Sequence, residues 1–161
     1  MHKIFLLRHG KAANPKEGQD DYDRPLNKKG IAQINLVGYE LNVPENNIGL
    51  IITSSALRTK ETTEIANFHL NISKIKFDKN LYLAKHDVIF HQVKQMADCK
   101  EILYVGHNFG IGDFATYLTG EAISMSTGMV VEISLDIENW SQLEKDCGII
   151  TNTFVPKTHV P

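Results

Sequence analysis

Three short apolar runs constrain the fold more than any other feature of the chain. Ile4-Phe5-Leu6-Leu7, Leu50-Ile51-Ile52-Thr53 and Glu101-Ile102-Leu103-Tyr104-Val105-Gly106 are continuous rather than alternating, the pattern of strands buried on both faces. A helical period follows each one. It is carried by Ile31, Ile34, Val37 and Leu41, then by Leu57, Ile65 and Phe68, then by Ile111, Phe114, Ala115 and Leu118. Strand and helix in alternation imply right-handed crossovers and a mostly parallel sheet with helices on both faces. Asn27 reads as the N-cap of the first helix, Ser54 or Ser55 as the cap of the second, and Gly120 as the stop of the third. A weaker strand near Ile75-Lys76-Phe77 and a helix over 86–98 fill the middle of the chain. Met129 to Leu135 and Ile149 to Phe154 alternate instead and read as a hairpin at the sheet edge. The expectation is one domain over residues 1–161: a three-layer α/β/α sandwich with a mostly parallel central sheet and a C-terminal edge hairpin.

Composition narrows the functional classes. The 161 residues are 42% hydrophobic and 22% charged, ordinary for a globular chain, and no repeat or low-complexity tract interrupts them. A formal charge of −2 gives no electrostatic case for nucleic acid or an anionic membrane. No apolar run approaches bilayer length. The N-terminal segment reaches Arg8-His9 before a signal-peptide core can form. Cys99 and Cys147 match no zinc or redox spacing. A cytoplasmic monomer without cofactor is expected.

Of the 17 basic residues only Arg8, Arg24 and Arg58 are arginines. Such economy suits positions that need a planar, bidentate fork for carboxylate or phosphate. Ligands of parallel α/β sheets bind just beyond the carboxyl ends of the strands. The first run ends in Arg8-His9-Gly10, the second in Thr53-Ser54-Ser55 with Arg58 in the next helical turn, and the third in Gly106-His107-Asn108. Two histidines and two arginines thus come to one sheet edge, beside helix N-termini that favour an anion. Guanidiniums suit phosphoryl oxygens, and an imidazole can attack phosphorus. The pattern is that of a phosphate pocket with a histidine nucleophile.

Other chemistries lack their signatures. No GxxxxGK[ST] loop, GxSxG elbow, HxxxH or HExxH is present, and neither cysteine is followed closely by an arginine. No metal site is expected on His9 and His107. His2, His69, His86, His91 and His159 read as surface or packing residues.

Leu7-Arg8-His9-Gly10-Lys11-Ala12 resembles the RHG signature of the histidine phosphatase superfamily, which also contains phosphoglycerate mutases. The likeness is greatest to the small phosphohistidine phosphatase SixA group. It extends through Asp23-Arg24-Pro25-Leu26-Asn27 to Gly30, through Ser54-Ser55-Ala56-Leu57-Arg58-Thr59-Lys60-Glu61-Thr62, through Val105-Gly106-His107-Asn108, and to Ser126-Thr127-Gly128. The resemblance implies a phosphoglycerate mutase-like fold and a metal-independent phosphatase. It implies His9 as the nucleophile that forms a phosphohistidine enzyme, with Arg8 and Arg58 on the phosphoryl oxygens and His107 completing the pocket. Arg24 either touches phosphate or pairs with Asp21 or Asp23. The implied partner is a phosphorylated protein, a phosphohistidine carrier or relay domain, or else a small phosphorylated substrate.

The chain departs from the superfamily in one respect. Many members carry an acidic proton donor after the third strand or after the second catalytic histidine. Here those stretches read Leu83-Ala84-Lys85-His86 and His107-Asn108, with Asp87 and the cluster Asp20, Asp21 and Asp23 as the nearest substitutes. An alkoxide needs a proton to leave, whereas imidazole has a conjugate-acid pKa of about 6.5 and leaves a phosphoramidate with less help. The absent acid favours phosphohistidine or an activated phenyl phosphate over sugar phosphates and mutase chemistry. A small-molecule phosphomonoesterase and a phosphate-binding module without turnover are the alternatives.

Overall fold

The computed structural model describes residues 1–161. The order of elements is β1 (His2–Arg8), α1 (Lys28–Leu41), β2 (Leu50–Ser54), α2 (Leu57–Leu70), β3 (Ile75–Asp78), α3 (His86–Met96), β4 (Glu101–Gly106), α4 (Gly110–Thr119), β5 (Val130–Leu135) and β6 (Gly148–Phe154). The six strands form one sheet in the order β3-β2-β4-β1-β5-β6. The first four strands are parallel to one another, while β5 runs antiparallel to β1, and β6 to β5. This is the expected α/β arrangement with a mostly parallel sheet, and the hairpin lies on the β1 side.

Continuous apolar strands are needed because both faces are covered. Ile4, Leu6, Leu50, Ile52, Ile102 and Tyr104 enter a core shared with α3 and α4. Their alternating neighbours Phe5, Leu7, Ile51, Leu103 and Val105 enter a second core beneath α1 and α2. The register that results matters for function. Arg8 is paired with Gly106, and Thr53 with Val105, so β1, β2 and β4 end level with one another.

The helix boundaries follow local chemistry, with one correction. Asn27 caps α1 by accepting from the Gly30 N–H at 2.8 Å, and Gly120 closes α4 in the left-handed region at φ 76°. Neither Ser54 nor Ser55 caps α2. The N-cap is Ala56, which has no side-chain capping bond. Ser54 accepts from the Ala56 N–H at 3.3 Å from within β2 and turns its hydroxyl toward His107. No helix is long and apolar enough to cross a membrane.

Candidate active site

The turn after β1 is fixed by backbone bonds before any side chain is considered. The His9 N–H donates to Gly106 O at 3.1 Å, and Gly128 donates to the carbonyls of Arg8 and His9 at 3.1 and 3.0 Å. Gly10 then donates to Thr62 Oγ1 at 3.1 Å. A Cβ on Gly10 would stand 2.7 Å from Gly30 O, and one on Gly30 only 2.2 Å from Lys11 O. Two glycines thus let the start of α1 lie directly on the Arg8-His9-Gly10 turn.

His9 is 7% exposed. Its Nδ1 lies 2.7 Å from Gly10 O. A carbonyl can only accept, so Nδ1 carries the proton and Nε2 keeps its lone pair. Arg58 donates Nε–H toward that lone pair at 3.3 Å. Burial lowers the His9 pKa to about 4, assisted by the charges of Arg58, Arg8 and Arg24 and opposed by the bond to Gly10. The ring is therefore neutral at pH 7, with its free nitrogen facing a cluster of cations.

His107 is 2% exposed, and its ring centre lies 5.3 Å from that of His9. Its Nε2 meets Ser54 Oγ at 2.8 Å, while its buried Nδ1 has no partner. Burial lowers its pKa to about 3, with His9 and Arg58 adding to the shift. Arg8 reaches across to Met125 O through Nη1 at 2.9 Å and leaves its buried Nε without a partner. Only three buried side-chain atoms lack a hydrogen bond. Two of them, Arg8 Nε and His107 Nδ1, belong to side chains that line the same pocket of about 340 Å³ as His9, Lys11, Arg24 and Arg58.

Arg58 does not offer its whole fork to this pocket. Nη1 donates to Asp21 O at 2.7 Å and Nη2 to Asp21 Oδ2 at 2.9 Å. The same carboxylate accepts from Tyr82 at 2.5 Å and from Arg24 Nη1 at 2.9 Å. The Tyr82 hydroxyl, then Arg24 and Arg58, hold the Asp21 carboxyl well below the usual carboxylate range. Of the two options for Arg24, the structure shows the pairing with Asp21 and not with Asp23. Its Nε donates to Ala13 O at 3.0 Å, and the residue still lines the pocket. Asp87 lines a neighbouring cleft. No group of three or more His, Cys, Asp or Glu side chains is placed to hold a metal ion.

Arg8, His9, Arg58 and His107 are thus brought together, with Arg24 at the rim. Ser54, Asp21 and Tyr82 escape sequence reasoning as members of the site. Their partners lie 53, 37 and 61 residues away, and the acidic cluster around Asp21 was the sole hint. The other histidines are elsewhere: His2 packs edge-on against Trp140, and His86 lies against Tyr117.

Residues 4–82 match the family model of the histidine phosphatase superfamily, branch 1. Over that segment the chain is similar to the histidine phosphatase superfamily. Among curated proteins, an uncharacterised protein of Mycobacterium leprae is 23% identical over 94% of this chain and 100% of its own length. One from Mycobacterium tuberculosis is 25% identical with the same coverage. Among solved structures, a protein histidine phosphatase SixA in complex with tungstate superposes at TM-score 0.82 with 21% identity, over 96% of this chain and 97% of that one. A SixA candidate from Nakamurella multipartitia reaches TM-score 0.86 at 22% identity, over 98% and 97%. A mycobacterial glucosyl-3-phosphoglycerate phosphatase superposes at TM-score 0.69 with 12% identity, over 94% and 98%. The fold is thus shared with solved structures of a protein histidine phosphatase and of a glucosyl-3-phosphoglycerate phosphatase.

Proposed function

We propose that the protein is a phosphohistidine phosphatase acting through a covalent phosphoryl group on His9. The observation that carries the reading is the convergence of one unprotonated imidazole nitrogen, His9 Nε2, held against Arg58 Nε–H, with two buried unpartnered groups, Arg8 Nε and His107 Nδ1. A buried polar atom without a partner is costly unless something fills the place. A phosphoryl group supplies oxygens for both donors and a phosphorus for the nucleophile.

In the first step His9 Nε2 bonds to phosphorus, and the P–N bond of the substrate breaks with its electron pair returning to the departing imidazole. Departure proceeds from the substrate form that carries a proton on its other ring nitrogen, a form that a ring pKa of about 6.5 keeps populated near neutral pH. The imidazole leaves as a neutral ring without a protein acid, in keeping with the residues after β3 and β4. Arg8, Arg58 through Nε, and His107 through Nδ1 stabilise the charge on the equatorial oxygens. The mechanism takes the tautomer in which the Ser54 hydroxyl donates to His107 Nε2 and the His107 proton sits on Nδ1. In the second step water attacks phosphorus, and its proton passes to the phosphate and solvent. The bond from Nδ1–H to Gly10 O keeps His9 protonated on the distal nitrogen, so His9 departs as neutral imidazole in turn.

The test compares hydrolysis of a phosphohistidine-bearing carrier protein with hydrolysis of sugar phosphates, with a metal chelator present. Efficient turnover of the protein and slow turnover of the sugar phosphates supports the reading. The reverse order makes the enzyme a small-molecule phosphomonoesterase.

A further inference from the structure

His107 and Arg58 reach the phosphoryl pocket from one side of the nucleophile. In the sheet order β2-β4-β1-β5, His9 follows β1, His107 follows β4 and Arg58 follows β2. The other side is walled by the loop that leads into β5, where Thr127 lines the pocket. We propose that the Thr127 hydroxyl is a further catalytic donor to a phosphoryl oxygen, aimed into the pocket by the buried amide of Gln33. The proposal rests on the reading that a phosphoryl group is transferred to His9, and it adds a donor to that step.

The direction of the hydroxyl follows from which groups can donate. The Lys11 N–H donates to Gln33 Oε1 at 2.9 Å. A backbone N–H cannot accept, so this bond fixes the amide with its oxygen on Lys11 and its nitrogen on Thr127. Nε2 then donates to Thr127 Oγ1 at 3.1 Å. Oγ1 therefore accepts on the Gln33 side, and its own hydrogen is turned away from that amide. Thr127 donates to no group of the protein, and it shares the pocket with Arg8, His9 and Lys11. An anionic oxygen brought into that pocket is the acceptor the hydroxyl lacks.

The loop is held to the nucleophile before any ligand arrives. The Gly128 N–H donates to Arg8 O and His9 O at 3.1 and 3.0 Å, which seats the Thr127–Gly128 peptide on the Arg8-His9-Gly10 turn. Met125 O accepts from Arg8 Nη1 at 2.9 Å and from Asn108 Nδ2 at 3.1 Å. Gly128 takes φ 73°, and a Cβ there would stand 3.0 Å from Pro156 Cγ and 3.1 Å from Gln33 Cβ. Gln33 is only 5% exposed. A buried amide is costly unless its bonds are made, and both that Gln33 makes go to residues lining the phosphoryl pocket. A donor fixed in this way stabilises developing charge without reorganising at the moment of reaction.

The experiment measures kcat and KM at pH 7 on p-nitrophenyl phosphate and on a carrier protein charged on histidine, with the inhibition constant of tungstate as a readout of oxyanion binding. Thr127→Val keeps the shape and removes the hydroxyl, whereas Thr127→Ser keeps the hydroxyl. Thr127→Val is expected to lower kcat on both substrates, and to weaken tungstate, by about ten-fold or more, as loss of a preorganised donor does. Thr127→Ser should stay within about three-fold of wild type. Gln33→Glu replaces Nε2 with a carboxylate oxygen that captures the Thr127 proton. It is expected to cost about ten-fold in the wild-type background and much less in the Thr127→Val background. Thr127→Val within about two-fold of wild type, or an equal loss in Thr127→Ser, overturns the donor while the phosphohistidine reading stands. Equal losses from Gln33→Glu in both backgrounds overturn the aiming by Gln33. A wild-type enzyme that hydrolyses p-nitrophenyl phosphate but not the carrier overturns the phosphohistidine reading alone, and the Thr127 donor is then decided on p-nitrophenyl phosphate.

Discussion

Arg58 points Nε at Nε2 of His9 across 3.3 Å while Asp21 holds both of its terminal nitrogens. The guanidinium is anchored from behind, and one N–H is left toward the atom that attacks. On the proposed mechanism a phosphoryl group transferred to His9 brings its oxygens to this N–H, which positions Arg58 for the intermediate as much as for the substrate. Tyr82 adds its ring face, 5.8 Å from the guanidinium carbon, and its hydroxyl to Asp21.

The pH dependence tests the state of the nucleophile. On the proposed mechanism neutral His9 is the reactive form, and burial lowers its pKa to about 4. After correction for ionisation of the substrate, kcat/KM on p-nitrophenyl phosphate is expected to stay level from pH 7 to about 5 and to fall near pH 4. An acid limb centred at 6.5 contradicts the account. Stability is linked with the same sign. Between the unfolded value of about 6.5 and the folded value of about 4, the unfolded chain binds a proton that folded His9 refuses. Stability therefore declines as pH falls through that window, by at most on the order of 3 kcal/mol from this group. Urea unfolding of wild type and His9→Asn at pH 7 and 5 should show a smaller decline in the variant.

Ser54 meets His107 at the ring nitrogen, and the proposed mechanism gives it the role of orienting that ring without touching substrate. Ser54→Ala removes the 2.8 Å bond to Nε2 and is expected to lower kcat roughly ten-fold with little change in KM, the rate equivalent of one hydrogen bond. Ser54→Thr keeps the hydroxyl and should restore kcat. A purely structural role for Ser54 would instead lower stability and leave kcat of the folded fraction intact.

The three arginines should not be equivalent. Arg8→Ala and Arg58→Ala each remove a buried or half-buried donor facing the phosphoryl group, with an expected loss in kcat of about 10²-fold or more. Arg24 stands at the rim, bonded to Ala13 O and Asp21, and Arg24→Ala should cost about ten-fold or less. Equal losses at all three positions, measured with p-nitrophenyl phosphate, would place Arg24 on the phosphoryl group itself.

The sheet was legible because β1, β2 and β4 are buried on both faces and so cannot alternate. Their ends announced Arg8, His9, Arg58 and His107 for the same reason: a parallel sheet must deliver its strand termini to one edge. The second helix was harder to read. The period read from Leu57, Ile65 and Phe68 is not its buried face: Phe68 is 85% exposed, and the buried residues are Arg58, Thr59, Thr62, Thr63 and Ala66, all polar but the last. The misplaced cap has the same origin, since the Ser54 hydroxyl is committed to His107. The links from Asp21 to Arg58 and Tyr82 join segments distant in the chain, and no local period or spacing encodes them.

The central claim is covalent transfer to His9, and the most direct test is to trap it. Wild-type protein and His9→Ala are mixed with a carrier radiolabelled on its phosphohistidine, quenched rapidly in alkali, and the labelled peptide is mapped. The account predicts alkali-stable, acid-labile label on His9 in the wild type and none at that position in the variant. Turnover of the carrier with no label on the enzyme at any time point, or with undiminished rate in His9→Ala, would contradict it.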